Sequence, residues 1–156
     1  PLTPNWFVEE LIASLKSDHS AEMATPVLRL DRESYNLFTE DRKFGRVGGT
    51  TVVFDKEMNA LYFSKELIPY FEISKIDQDK PIPCYHHVGV YAYRRNVLND
   101  YLYWSESHLE KVEGLEQLRF LSENKKIKCV EVSSRGNVFW ELNNPEDVQR
   151  IEKVIS

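Results

Sequence analysis

Short strand-forming runs alternate with helical repeats along this chain of 156 residues, and that order limits the folds open to it. Strands are predicted where β-branched and aromatic residues cluster, and helices where apolar residues recur every three or four positions. The predicted strands are Ala21–Leu30, Thr50–Asp55, Ala60–Ser64, Cys84–Tyr93 and Ile127–Val132. The predicted helices are Pro1–Asp18, Asn96–Trp104, His108–Glu123 and a last one from Pro145. Strands separated by helices in a chain of this length predict one mixed α/β domain.

Turn and capping residues predict how these elements are joined. Thr3 is the predicted cap of the first helix, and Asn144 is that of the last. The charged, glycine-containing stretch Asp31–Gly49 is predicted to be a surface connection with a short helix. Lys56–Asn59 is the predicted turn of a hairpin, and the proline-flanked segment Glu72–Pro83 is predicted to be a loop.

Composition excludes several classes of partner. The chain has 20 Lys and Arg against 25 Asp and Glu, a net charge of −5, and no block of basic residues, so nucleic acid and anionic membrane surfaces are not predicted partners. Its apolar runs are far too short to cross a bilayer, so no membrane insertion is predicted. Two cysteines are too few for a disulfide scaffold or a Cys-rich zinc site, which favours a reducing cytoplasm. Because the sequence opens at Pro1 with neither Met nor a signal peptide, we expect it to be part of a longer chain.

Two polar surfaces are the candidate sites, since the sequence has no glycine-rich phosphate loop and no HExxH, GxSxG or CxxC motif. One face of the predicted strand Cys84–Tyr93 carries Tyr85, His87, Gly89, Tyr91 and Tyr93. In the predicted helix His108–Glu123, a stripe of Glu110, Glu113 and Gln117 faces away from the leucines. The helix stripe is explained either by solvation or by a pocket, and the strand face either by a wet interface or core edge or by a pocket.

Six blocks of sequence, in the same order and over nearly the whole chain, resemble one enzyme family. The blocks are PLTPNWFVEELIASL at the start, ALYFSKELIPY (60–70), YHHVGVYAYRR (85–95), LEKVEGLEQLRFL (109–121), IKCVEV (127–132) and NNPEDVQRIEKV (143–154). Together they resemble the C-terminal portion of the CMP-KDO synthetases, the 3-deoxy-manno-octulosonate cytidylyltransferases of lipopolysaccharide biosynthesis. The resemblance implies that residues 1–156 are the sugar-binding and dimerisation side of a single cytidylyltransferase domain, without its N-terminal nucleotide-binding portion.

The resemblance also implies a fold, a reaction and an assembly. The fold is a three-layer α/β fold of the nucleotide-diphospho-sugar transferase type, with a mostly parallel sheet and a small hairpin part for dimer contact. In the implied reaction, a hydroxyl of KDO or a related sugar acid attacks the α-phosphate of CTP, with Mg²⁺ as cofactor, to give CMP-sugar and pyrophosphate. Positioning and charge neutralisation are what such a transfer needs. The implied assembly is a cytoplasmic homodimer.

Matched motif by motif, the resemblance implies a binding site for the sugar acid, while it assigns no catalytic residue. Lys65 stands where the family has Arg in its YFSR motif, a position that grips the carboxylate of the sugar acid. His87 and Tyr91 lie in a run similar to the family's HxGxYxY. Glu113 and Gln117 lie in a run similar to ExLEQLR, and their i,i+4 spacing would place both on one helix face. The resemblance implies that His87, Tyr91, Glu113 and Gln117 form hydrogen bonds with hydroxyls of the sugar.

Two positions depart from the family pattern. Lys65 keeps the charge of the family's Arg but lacks the planar fork that binds a carboxylate through two parallel bonds. Asn143 stands where the family has an Asp that helps to hold Mg²⁺, and an amide oxygen brings no negative charge to the metal. Three functions therefore stay open: an active cytidylyltransferase, a catalytically silent sugar-binding and dimerisation module, or one subunit of a split enzyme.

Overall fold

A computed structural model of the protein describes residues 3–46, 49–135 and 145–155. Its helices are α1 (Asn5–Ser17), α2 (Arg32–Lys43), α3 (Arg95–Tyr101), α4 (His108–Glu113), α5 (Gln117–Ser122) and α6 (Pro145–Ile155). Its strands are β1 (Met23–Arg29), β2 (Thr50–Phe54), β3 (Ala60–Ser64), β4 (Tyr85–His87), β5 (Ala92–Tyr93) and β6 (Ile127–Glu131). Within the predicted loop Glu72–Pro83, Ile73–Lys75 form a short 3₁₀ turn. None of the helices in these ranges is long and apolar enough to cross a membrane.

The strands form one curled mixed sheet. β2 and β3 make the predicted hairpin, β4 lies between β2 and β1, and β6 pairs with the other edge of β1. A bridge between Asn59 and Lys128 brings the hairpin beside β6 and closes the curl. Among the hydrogen-bonded strand pairs that the structure describes, only β1 with β6 is parallel, so the expected mostly parallel sheet is wrong for this part of the chain. The short turn between β2 and β3 reverses the chain direction, whereas the parallel pair of β1 and β6 is joined by a long connection that contains helices.

The predicted strand Cys84–Tyr93 is interrupted and forms both β4 and β5, which pair with successive parts of β1. Near the interruption, the N–H of Val88 donates to the carbonyl of Pro26 at 3.1 Å, but Pro26 has no N–H to return the bond. The hydroxyl of Thr25 instead approaches the carbonyls of Val88 at 3.2 Å and Val90 at 3.0 Å. A proline inside a sheet is tolerated at such irregularities, and here it divides one strand into two.

Helices cover both faces of the sheet, which confirms the α/β class and the three layers. On one face, Ala24 packs with Leu11 and Leu15 of α1. On the other face, Met23 lies in the main core with Leu118 of α5. Successive residues of a strand point to opposite faces, so these neighbours place α1 and α5 on opposite sides of the sheet.

Two connections differ from the sequence prediction. Pro4 is the N-cap of α1 and has an extended backbone, so the prediction that Thr3 caps this helix is wrong. The connection Asp31–Gly49 contains the 12-residue helix α2 rather than a short one. The carboxylate of Asp31 starts this helix by accepting a hydrogen bond from the N–H of Ser34 at 2.7 Å.

The two cysteines are free thiols in the interior. Burial raises the pKa of Cys84 to about 11 and that of Cys129 to about 12. Since the thiolate is the reactive form of cysteine, neither residue supplies a nucleophile near neutral pH. Both act as small apolar side chains in the core.

Candidate functional site

The predicted helix His108–Glu123 is broken at Gly114 into α4 and α5. Gly114 adopts φ 64° and ψ 41°, the left-handed conformation that ends helices and that glycine reaches without strain. Glu113 therefore closes α4 while Gln117 opens α5, and the predicted i,i+4 placement on one continuous helix is wrong. Val112, just before the bend, is 70% exposed.

The carboxylate of Glu113 ties this bend to the end of β3. Its Oε1 accepts hydrogen bonds from the hydroxyls of Ser64 at 2.9 Å and Tyr62 at 3.2 Å, and its Oε2 accepts one from the backbone N–H of Lys65 at 2.9 Å. A carboxylate offers about four acceptor positions, so one on Oε2 is left for a further donor. Burial and the neighbouring Glu113 charge raise the pKa of Tyr62, which keeps this phenol protonated as a donor.

Lys65 lies directly against the α4–α5 bend. A Cβ atom at Gly114 would stand 2.9 Å from the Lys65 Nζ, so the ammonium lies in contact with the position that a side chain at residue 114 would occupy. The segment after Lys65 is held by the hydroxyl of Thr51, which donates to the carbonyl of Glu66 at 2.6 Å and accepts from the N–H of Ile68 at 3.1 Å. The structure thus brings the predicted cation and the predicted acceptor together.

His87 and Tyr91 lie together on an aromatic face beside β3. Their ring centroids are 5.4 Å apart, and the His87 ring meets the edge of Phe63 at 4.9 Å. The side chain of His87 is buried, whereas that of Tyr91 is partly exposed. Phe63 belongs to β3, so it joins this aromatic face to the strand whose end is bound by Glu113.

The strand register sets the distance between the backbones of Lys65 and His87. Thr51 of β2 pairs with Ser64 of β3 on one side and with His86 of β4 on the other. β3 and β4 run in the same direction, so the next residues, Lys65 and His87, also lie two strand spacings apart. Their backbones are therefore about 10 Å apart, with Thr50 of β2 between them, so a ligand that touches both side chains must lie over the face of β2.

Gln117 is the predicted site residue with an unused donor. Its residue exposure is 4%, and its Nε2 has no hydrogen-bond partner among the described residues. Buried amide groups nearly always have a partner. The structure places this amide at the first residue of α5, four residues after Glu113, which makes it a candidate donor to a ligand.

Glu110 belongs to the predicted polar stripe but has a structural role. Its carboxylate accepts hydrogen bonds from Nε of Arg119 at 2.8 Å and from the N–H of Ser107 at 3.2 Å, and the latter is part of a capping box. The hydrogen bonds from Arg119 lower the pKa of Glu110, and those bonds in turn raise the pKa of Arg119. This carboxylate is therefore buried and ionised, and it does not face solvent.

The sequence prediction missed Tyr62 and Ser64, which orient Glu113. Alternation along the run ALYFS places these two polar side chains on one face of β3, opposite to Phe63. That alternation was the available signal. Nothing in the local sequence indicates that their partner lies about 50 residues further along the chain, because the pairing depends on how α4 packs.

The predicted metal ligand Asn143 lies outside the described residues. Within residues 3–46, 49–135 and 145–155, no three His, Cys, Asp or Glu side chains are grouped as ligands for a metal ion.

Comparison with known proteins gives the context of this site. The cytidylyltransferase family model matches residues 1–127. The chain is 38% identical over 156 residues to the 3-deoxy-manno-octulosonate cytidylyltransferase of Maricaulis maris, spanning 100% of this chain and 59% of that protein. It is 37% identical over 150 residues to the protein of the same name from Chlamydia pneumoniae, spanning 96% of this chain and 52% of that protein.

A solved structure gives the same result for the fold. It is the structure of CMP:2-keto-3-deoxy-manno-octonic acid synthetase complexed with CTP, with a TM-score of 0.75 and 27% sequence identity. The similarity covers 99% of this chain and 57% of that one, so the chain spans little more than half the length of these relatives. The resemblance seen in the six sequence blocks is confirmed. This chain belongs to the cytidylyltransferase family and, within it, is similar to the CMP-KDO synthetases.

Proposed function

We propose that the protein carrying this chain is a cytidylyltransferase that activates KDO or a related sugar acid with CTP, and that this chain supplies the sugar-acid site. The observation that carries the proposal is the placement of Lys65 against Glu113 and Gly114, with the buried Gln117 amide four residues further along the chain. A cation, an open acceptor position and a buried donor suit a ligand that has a carboxylate and several hydroxyls. The names of the relatives and the CTP bound in the related structure support the reaction.

Lys65, Glu113 and Gln117 each have a proposed role. The ammonium of Lys65 neutralises the carboxylate of the sugar acid as a point charge. The open acceptor position of Glu113 takes one sugar hydroxyl, and the Gln117 amide donates to another oxygen. His87 and Tyr91, on the face of the sheet that carries Phe63, would contact further hydroxyls of the sugar. Together these contacts orient the attacking hydroxyl of the sugar.

The reaction forms one bond and breaks another. The anomeric oxygen of the sugar acid bonds to the α-phosphorus of CTP, the α–β phosphoanhydride bond breaks, and pyrophosphate leaves as the hydroxyl proton is released. The contribution proposed for this chain is to hold the sugar in the orientation needed for attack, since positioning supplies much of the rate in such transfers.

The proposal is tested by measuring pyrophosphate release by the full-length protein with CTP and KDO. Release that needs both substrates is expected. A catalytically silent module would bind KDO in calorimetry without releasing pyrophosphate, and a split enzyme would release it only after a second polypeptide is added. Neither binding of KDO nor release of pyrophosphate under any of these conditions would contradict the proposed function.

Mg²⁺ is the proposed cofactor, and Asn143 is its proposed ligand in this chain. Mg²⁺ is usually held by one or two carboxylates together with substrate phosphates, and the amide of Asn143 lacks the charge of a carboxylate. We expect Asn143→Asp to lower, several-fold, the Mg²⁺ concentration that gives half-maximal activity. The matched control, Asn144→Asp, adds the same charge one residue away and is expected to leave the Mg²⁺ titration unchanged. Coinciding titrations for Asn143→Asp and the unmodified protein would refute this assignment.

A cytoplasmic homodimer is also proposed. We propose that exposed apolar side chains outside the hairpin contribute to the interface as well, because Leu102, Tyr103 and Val112 are 78%, 88% and 70% exposed. Light scattering of the full-length protein is expected to give twice the mass of one chain. The double variant Leu102→Asp, Tyr103→Asp should reduce that mass to one chain, and an unchanged dimer would place the interface elsewhere.

A further inference from the structure

We propose that Glu110 and Arg119 are positioning residues of the sugar-acid site, because their ion pair fixes the α4–α5 bend and so holds Glu113 against β3. The predicted effect on the sugar acid rests on the proposed function. The predicted effect on Glu113 rests on the fold alone.

The bend needs a contact across it to keep its shape. α4 and α5 have only six residues each, far fewer than an isolated helix needs to be stable. They meet at Gly114, whose backbone has the widest conformational freedom. The backbone bonds at the joint, from the N–H groups of Gly114 at 2.7 Å and Leu115 at 3.3 Å, both end on the carbonyl of Glu110.

The ion pair provides this contact. Arg119 donates from Nε at 2.8 Å and from Nη2 at 2.5 Å to the two carboxylate oxygens of Glu110. The two side chains are 14% and 8% exposed, so little water competes for these bonds. Two parallel bonds set the orientation of both groups as well as their distance. The Arg119 guanidinium also stacks on the ring of Tyr101, 4.5 Å from its centroid.

The positions of the pair along the chain connect it to the site. Glu110 lies three residues before Glu113, and Arg119 lies two residues after Gln117, so the pair encloses the part of the bend that carries both. Neither paired side chain contacts β3 in the described hydrogen bonds; their effect there passes through Glu113, which accepts from the N–H of Lys65 at 2.9 Å. The backbone amide of Lys65, which follows β3, therefore reports on the ion pair between α4 and α5.

The test uses the full-length protein with Arg119→Lys, which keeps the charge and removes the planar fork. Hydrogen exchange of the Lys65 amide is expected to become at least tenfold faster, while that of Leu30, bonded to the carbonyl of Cys84 at 3.0 Å, stays within twofold. The Michaelis constant of KDO is expected to rise about tenfold and that of CTP to stay within twofold.

A matched control comes from the exposed pair of Lys111 and Glu106, 3.8 Å apart, since Lys111 is in α4 as well. Lys111→Gln is expected to change neither the exchange nor the kinetics. If Arg119→Lys does not fold, Glu110→Gln gives the same comparison, because it keeps the shape of the side chain and removes its charge.

Unchanged exchange of the Lys65 amide in a folded variant overturns the inference. Equal rises in the Michaelis constants of KDO and CTP overturn it too, because a general loosening would raise both. If the unmodified protein neither binds nor uses KDO, the proposed function fails, whereas the exchange of Lys65 still decides whether the pair positions Glu113.

Discussion

Glu113→Gln is expected to raise the Michaelis constant of the sugar acid about 10- to 100-fold. The amide can still accept from Tyr62 and Ser64 at Oε1, but its NH₂ group then faces the backbone N–H of Lys65, and two donors cannot bond. The substitution also removes the open acceptor position on Oε2 that is proposed to take a sugar hydroxyl, and losing a hydrogen bond to a charged group costs roughly 1.5–3 kcal/mol. Each 1.4 kcal/mol is about a tenfold change in affinity. Steady-state kinetics with varied KDO at saturating CTP measures the effect.

Glu116→Gln is the matched control for this substitution. Glu116 is exposed, lies at the start of α5 and makes no side-chain capping bond. The kinetics of the Glu116→Gln variant are therefore expected to equal those of the unmodified protein. A Michaelis constant for KDO within twofold of the unmodified value in Glu113→Gln would remove Glu113 from the proposed site. An equal rise for CTP would assign Glu113 to general stability and not to the sugar acid.

Gly114→Ala is expected to weaken both the fold and the binding of the sugar acid. The φ of 64° costs a residue with a Cβ about 1–2 kcal/mol, so the free energy of unfolding should fall by about that amount. The added Cβ would also lie 2.9 Å from the Lys65 Nζ and displace the ammonium that is proposed to bind the carboxylate. We therefore expect the Michaelis constant of KDO to rise several-fold. Denaturant unfolding and kinetics measure the two effects separately.

Gly45→Ala separates backbone strain from the effect on Lys65. Gly45 has φ 70°, yet no atom lies within 4 Å of the position of its Cβ. It should lose a similar free energy of unfolding while the kinetics stay unchanged. A similar rise in the Michaelis constant of KDO in both variants would mean that lost stability, and not the displacement of Lys65, weakens the sugar acid's binding.

The periodic patterns predicted most elements but not the breaks within them. The hairpin of β2 and β3 and the strand β6 were predicted because their patterns are local. The leucine repeat of Leu115, Leu118 and Leu121 continues past the bend, so periodicity alone predicted one helix where Gly114 makes two. The interruption between β4 and β5 depends on Pro26, which lies in another strand about 60 residues earlier.

The geometry of the candidate site has little signal in the sequence. In the structure, Lys65 lies against Glu113 and Gly114, and Gln117 opens α5. Motif resemblance selected Lys65, Glu113 and Gln117 without that geometry. It did not predict that most of the acceptor capacity of Glu113 is used within the protein, because the donors Tyr62 and Ser64 come from another element. Tertiary contacts of this kind have no local signal.

Amide shifts during titration of the full-length, ¹⁵N-labelled protein with KDO test whether the sugar acid binds at the α4–α5 bend. Saturable shifts are expected at the backbone amides of Lys65 and Gly114 and at the side-chain amide of Gln117, with no shift at Gly45, which lies beyond α2. Saturable binding of KDO that leaves these three signals in place and moves signals elsewhere would contradict a sugar-acid site at the α4–α5 bend.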